Sequence, residues 1–262
     1  MVQTSFQAVW IFSLASLGAC AAEYLLKSST RRWTTALLFL SWVALAANLL
    51  ARWQIGARAP LANQYESMLF LLWAVLGVFF LFYSSKLSFA GLLPALTVFL
   101  VVSLATASLL DSSIQPLVPA LQSNWLLLHV ATVMVGYGAL SLAFLAALVY
   151  LWRFKKGGAA SQTDLLDGLL YRAISLGFWF LTLGILTGAV WANSAWGTYW
   201  SWDPKETWSL VTWIFYAIAI HLRRTRGWRE SRFAWLAVSG FAFVLFTYFG
   251  VNYLLSGLHS YA

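Results

Sequence analysis

The sequence predicts an all-α integral membrane protein, a bundle of about eight transmembrane helices with both termini on the extracytoplasmic side. Three observations carry this. The 262 residues are 61% hydrophobic and 9% charged, with a mean hydropathy of +0.77, which leaves no polar surface for a soluble domain of ordinary size. Apolar stretches suited to a hydrocarbon core of about 30 Å, roughly 20 helical residues, recur along the chain. The basic residues are also unevenly spread over the loops between those stretches.

In chain order the stretches are 6–26, 34–51, 66–83, 88–109, 124–152, 173–192, 207–222 and 233–255. None alternates in polarity as a barrel strand does, and a bilayer interior cannot satisfy loose backbone groups, so each is predicted helical. If both termini lie outside, the inner loops hold Lys27, Arg31, Arg32, Lys86, Arg153, Lys155, Lys156, Arg172 and the basic run from Arg223 to Arg232. Only Arg52, Arg58 and Lys205 remain outside. That asymmetry sets the orientation. Contact with anionic lipid then accounts for the net charge of +8, and nothing in the charge pattern calls for nucleic acid.

Residues 1–262 read as a single membrane domain without internal repeats. Met1 to Phe6 carries no basic residue, so the first helix is expected to be retained rather than cleaved as a signal peptide. The inner loop around Lys155-Lys156-Gly-Gly-Ala-Ala-Ser-Gln-Thr-Asp reads as a flexible basic linker between the fifth and sixth helices. Cys20 is the one cysteine, within the first helix, so no intrachain disulfide or dithiol redox pair is available.

Six of the sixteen tryptophans lie between Trp191 and Trp213. Residues 193–208 form a tryptophan-rich segment predicted on the lumenal or periplasmic side, with Trp196-Gly-Thr-Tyr-Trp-Ser-Trp-Asp-Pro-Lys-Glu-Thr-Trp at its centre. Single tryptophans belong in the aromatic belt of any membrane protein, but this concentration with two carboxylates suits a large, flat, partly apolar ligand. Asp203-Pro204-Lys205-Glu206 spells a helix start: Asp as cap, Pro at the first position, Glu three residues after the cap. The preceding loop is then Asn193 to Trp202, and Trp196 and Trp200 would share a face if that loop formed a short interfacial helix.

Three histidines are present. His129 falls about five residues into the fifth stretch, roughly 7–8 Å below its outer end, and His259 follows the eighth on the same side. The two are placed to approach the tryptophan segment as axial ligands of a haem iron would. His221 lies seventeen residues after Pro204, about 25 Å further down, near the inner surface, and belongs to a different site.

The tryptophan segment resembles the "WWD" signature of haem-handling proteins in cytochrome c maturation, in the form found in the CcsA (ResC) family. The Asp203-Pro-Lys-Glu-Thr-Trp208 continuation is the discriminating part, since the related protein CcmC resembles only the first half. Further matching stretches are Pro60–Ser67, Leu117–His129, Gly188–Asn193 and Tyr248–Tyr261. The resemblance runs from about residue 50 to the end and is strongest with plastid and cyanobacterial members; the first fifty residues match weakly and the loop after the fifth stretch is short.

The resemblance implies a subunit of a cytochrome c haem lyase complex. With a CcsB-type membrane partner, such a protein presents haem b, as substrate and transient ligand, for attachment to the Cys-x-x-Cys-His motif of an apocytochrome c. It implies His129 and His259 as external ligands of the haem iron and His221 as an inner-side ligand whose companion is supplied in trans. Trp196, Trp200, Trp202 and Trp208 would then support the macrocycle, with Arg52 preferred for a propionate and Asp203 as cap or positioning group. No residue is assigned a catalytic role. The membrane is a cyanobacterial or plastid thylakoid, or a bacterial inner membrane. Two other readings compete: a haem exporter without lyase chemistry, and an electron-transfer subunit with a permanent bis-histidine haem, which the single inner histidine disfavours.

Overall fold

A computed structural model describes residues 2–26, 30–84, 91–117, 121–157 and 160–257. The chain forms two compact units, Met1–Pro116 and Leu117–Ala262. Among the described residues no strand occurs, and each of the eight predicted stretches contains a helix. Six are long and apolar enough to cross a membrane by length and composition.

The first unit holds α1 (Val2–Leu26), α2 (Arg31–Gly56), α3 (Gln64–Phe82) and α4 (Leu92–Ser108), an apolar helix of 17 residues. Helix α1 lies along α2, α2 and α3 pack together, and α4 touches α1, α2 and α3. Apolar surface cannot drive association inside a lipid, so small and polar groups do part of the joining. The Ser13 and Ser41 hydroxyls meet at 3.3 Å, and Asn48 donates to the Val2 carbonyl at 2.9 Å. Cys20 sits half-buried, its sulfur 3.9 Å from the hydroxyls of Thr34 and Thr97.

A buried charge cluster closes one end of this unit. Asn63 caps α3 by accepting from the Glu66 amide at 2.8 Å. The Glu66 carboxylate, 1% exposed, takes Arg52 at 3.1 Å on one oxygen and Arg58 at 2.8 Å on the other. Arg52 also donates to the Ser112 carbonyl at 2.8 Å, lies over the Tyr65 ring at 4.9 Å and is 2% exposed. Arg58 and Asn63 hold the carbonyls of Gln115 and Ser113, so the segment after α4 is fastened onto the cluster.

The second unit holds α5 (Asn124–Lys155), α6 (Ala160–Trp196), α7 (Pro204–Thr225) and α8 (Glu230–Leu254), the last interrupted by a π-helical turn at Phe246–Gly250. Helix α5 packs along α6 and α8, and α7 packs on both α6 and α8. The α5–α6 seam is close because glycines line it: a Cβ on Gly136 would meet the Gly177 carbonyl at 3.2 Å, and one on Gly177 would meet Leu140 at 2.6 Å.

Helix α6 is much longer than its apolar stretch. It begins at Ala160, where Arg153 donates to Gln162 and Asp167 pairs with Arg223 at 2.6 Å, so polar partners carry the helix beyond the apolar run. Helix α7 is amphipathic: Glu206, Thr212, Tyr216 and Ala219 are buried, while Val211, Ile214, Ile218 and His221 form an outward stripe at three- and four-residue spacing. The unit thus has a tryptophan end, with Trp196, Pro204 and Leu254, and an arginine end, with Arg153, Arg223 and Glu230.

Candidate functional site

At the tryptophan end, α6 runs on through Trp196, so Asn193–Trp196 is helix and not loop. It stops where Gly197 takes a left-handed φ of +79° and donates its amide to the Asn193 carbonyl at 3.0 Å. Residues 198–203 are irregular, and the interfacial helix that would align Trp196 with Trp200 is not formed. The glycine ends the periodicity between them.

The helix start expected at Asp203 is present in full. Asp203 accepts from the Lys205 amide at 2.9 Å, and Glu206 completes the capping box by accepting from the Asp203 amide at 3.2 Å. The same Glu206 oxygen takes the Ser201 amide at 2.8 Å and the Ser201 hydroxyl at 3.2 Å. Between those two amides sits Trp202, held at φ +59°, a region that bulky residues rarely occupy. Its indole is 68% exposed and stands edge-on to Trp200, 5.8 Å away at 90°. The backbone is thus held in a strained region by hydrogen bonds on both sides, with its large side chain turned outward.

His129 lies on α5, facing α6. Its Nδ1 is 2.7 Å from the Gly184 carbonyl, and its ring stacks on Trp191 at 6.1 Å and 13°. Trp191 is 2% exposed and meets Trp196 at 4.7 Å. A continuous aromatic contact therefore runs from His129 through Trp191 to Trp196. Trp200 and Trp202 form a second group, and Trp208 packs elsewhere, against Phe246 at 4.4 Å and Phe243 at 6.4 Å on α8.

Trp191 is the contact that reading the segment alone misses. Its signal is helical spacing: Gly184, Gly188 and Trp191 recur at four and three residues on the face turned to His129.

Lys205 is half-buried and donates to Asn252 at 2.6 Å, tying α7 to α8. Burial pulls its ammonium down to about 8, against the opposing pull of the Asp203 carboxylate. A Cβ on Gly257 would lie 2.3 Å from an Asp203 oxygen, so the chain after α8 passes directly over the cap. His259 lies outside the described residues.

His221 is at the arginine end, exposed on the outward stripe of α7; among the described residues its ring makes no hydrogen bond or aromatic contact. Arg52 belongs to the first unit and is engaged by Glu66. No group of three or more His, Cys, Asp or Glu side chains among the described residues is arranged to hold a bare metal ion.

Comparison with known proteins bears on this site. The family model described as "Cytochrome C assembly protein" matches residues 61–259. The protein described as "Cytochrome c biogenesis protein CcsA" from Chlamydomonas reinhardtii is 47% identical over 224 residues, covering 81% of this chain and 64% of that relative. Proteins of the same description from Guillardia theta and Synechococcus sp. (strain RCC307) are 41% and 38% identical, covering 85% and 90% of this chain and 83% and 86% of their own lengths. Among solved structures, "Cytochrome c Heme Lyase CcmF" superposes with a TM-score of 0.74 at 22% identity, over 95% of this chain and 46% of that one, a likeness of fold.

Proposed function

The chain belongs to the CcsA family of cytochrome c assembly proteins, integral to the membrane and acting in cytochrome c maturation, and from that premise we propose that it presents haem for covalent attachment to apocytochromes c. Haem is the substrate, handed to the Cys-x-x-Cys-His motif together with a CcsB-type partner. The observation that carries this is the setting of His129. Its Nδ1 faces a carbonyl, which can only accept, so Nδ1 bears the proton and Nε2 keeps the lone pair that an iron needs.

His259 is the second external ligand; Gly257, two residues earlier in sequence, packs on the Asp203 cap, which supports a C-terminal segment returning to this end. Trp196, Trp200, Trp202 and Trp208 supply aromatic surface to the macrocycle. In the attachment, each cysteine thiol adds across a haem vinyl group: a carbon–sulfur bond forms, the vinyl π bond breaks, and the thiol proton goes to the neighbouring carbon. The protein's contribution is orientation, which makes an encounter in solution into a local reaction. The apocytochrome's own histidine then displaces an external ligand and releases the product.

Arg52 is kept as the preferred propionate partner in this reading from its place in the sequence alone, since in the structure it is held within the first unit by Glu66 and the Ser112 carbonyl. The tryptophan end faces the lumen or periplasm of a thylakoid or bacterial inner membrane, since Lys205 is the sole Lys or Arg there and the others described in this unit gather toward the opposite end. The deciding experiment is reconstitution. This chain, its partner and an apocytochrome are produced together in a strain lacking other maturation proteins, and the haem is tested for resistance to acid-acetone extraction. Extractable haem alone refutes attachment. That outcome favours the second reading, a haem exporter, which the outward setting of His221 about 25 Å from the tryptophan end supports.

A further inference from the structure

We propose that Gly188 is a positioning residue for the iron ligand: the missing side chain at this one place seats the His129 ring on α6, where the Gly184 carbonyl fixes Nε2 as the coordinating nitrogen. The proposal rests on His129 as haem ligand and explains what makes it one.

A Cβ on Gly188 would lie 2.6 Å from His129 Nδ1 and 2.7 Å from Cε1, well inside van der Waals contact. The atoms it would strike belong to a rigid ring that has little room to yield. Its Nδ1 is bound to the Gly184 carbonyl at 2.7 Å, and Trp191 stacks on it, both from the same helix. One added methyl therefore pushes the ring off α6 and breaks the hydrogen bond that sets tautomer and direction.

The seam repeats this fit one turn further in, where a Cβ on Gly184 would strike Val133 at 2.4 Å. His129 and Val133, four apart on α5, thus seat against Gly188 and Gly184, four apart on α6. Only the outer member of this double fit carries chemistry. Gly177 provides a structural comparison on the same helix, since the atoms nearest to a Cβ there belong to Leu140 and the Gly136 carbonyl within the seam.

The test uses the full chain with its membrane partner, in wild-type form and as Gly188→Ala, Gly177→Ala and His129→Ala. Gly188→Ala is expected to lose about 10–100-fold in haem retention, the range for lost second-shell support. Its visible spectrum should shift from six-coordinate towards five-coordinate and return with added imidazole. Gly177→Ala is expected to lower thermal stability without that shift and without an imidazole response.

A second readout needs no haem. Histidine-selective ¹⁵N NMR of the haem-free wild-type protein, with the His129 signal assigned by its loss in His129→Ala, should show a protonated Nδ1. An Nε2–H tautomer overturns the proposal without recourse to any glycine variant. A wild-type spectrum in Gly188→Ala beside an altered one in His129→Ala overturns it as well. Should His129→Ala itself leave the haem spectrum unchanged, the ligand reading falls, and the proposal with it.

Discussion

The two described histidines sit at opposite ends of the second unit and are held in opposite ways. His129 is bonded to the Gly184 carbonyl, stacked on Trp191 and seated on Gly188, so its ring is fixed before any ligand arrives. His221 projects from an apolar outward stripe between Ile218 and Thr225. The difference is one of setting: His129 is held by its own chain, whereas His221 is exposed, and in the proposed reading the partner supplies what His221 lacks.

The largest expected effect breaks the His129 side of this comparison. Replacing both His129 and His259 by Ala should abolish cytochrome c assembly, scored as covalent haem in a peroxidase-stained gel, with partial recovery in imidazole; an active double variant removes them as essential ligands. Next, Arg52→Ala breaks a buried ion pair and should cost about 3–5 kcal/mol, read as lowered resistance to heat or protease. Unchanged haem occupancy in the surviving protein removes Arg52 from the propionate role.

Glu206→Gln weakens the bonds that bracket Trp202 and start α7. It should cost about 1 kcal/mol, and Trp202→Ala in that background then adds less functional loss than in the wild type. His221→Ala sharpens the comparison from the other side, since an exposed ring without internal contacts should change thermal stability by no more than about 0.5 kcal/mol. A large destabilisation in the isolated chain contradicts the exposed setting of His221.

A further effect is one of pH. The Lys205 ammonium is pulled down to about 8 in the folded protein, below its ordinary value, so folding disfavours the proton and the unfolded chain binds more of it above that point. Stability should therefore rise as pH increases from about 8 toward the ordinary lysine range, and Lys205→Met should flatten that rise; an unchanged slope counts against the buried setting of the amine.

The apolar helices among the described residues and the Asp203 start are legible because both rest on local rules: apolar length, and a cap, proline and glutamate at fixed spacing. The end of α6 is not. Asn193–Trp196 looks like loop beside so many aromatics, but only Gly197 interrupts the helix. The long polar extension from Ala160 replaces the second half of the expected flexible linker, for the complementary reason that Asp167 is paired with Arg223, 56 residues away. Trp191 was visible as a residue but not as a partner of His129, because a seam between helices is a pairing that periodicity on one helix does not reveal. Arg52 was seen as a cation, while its buried carboxylate became apparent only with α2 and α3 side by side.

The Glu206 bracket has a mechanical consequence. Helix α7 spans 22 residues, about 33 Å, with its one proline at the first position, so no internal proline bends it. One end is bonded to the amides on either side of Trp202, and the other end carries His221. The helix is thus a rod between the Trp202 bracket and His221. A tilt imposed at its His221 end would be transmitted to the indole at the other.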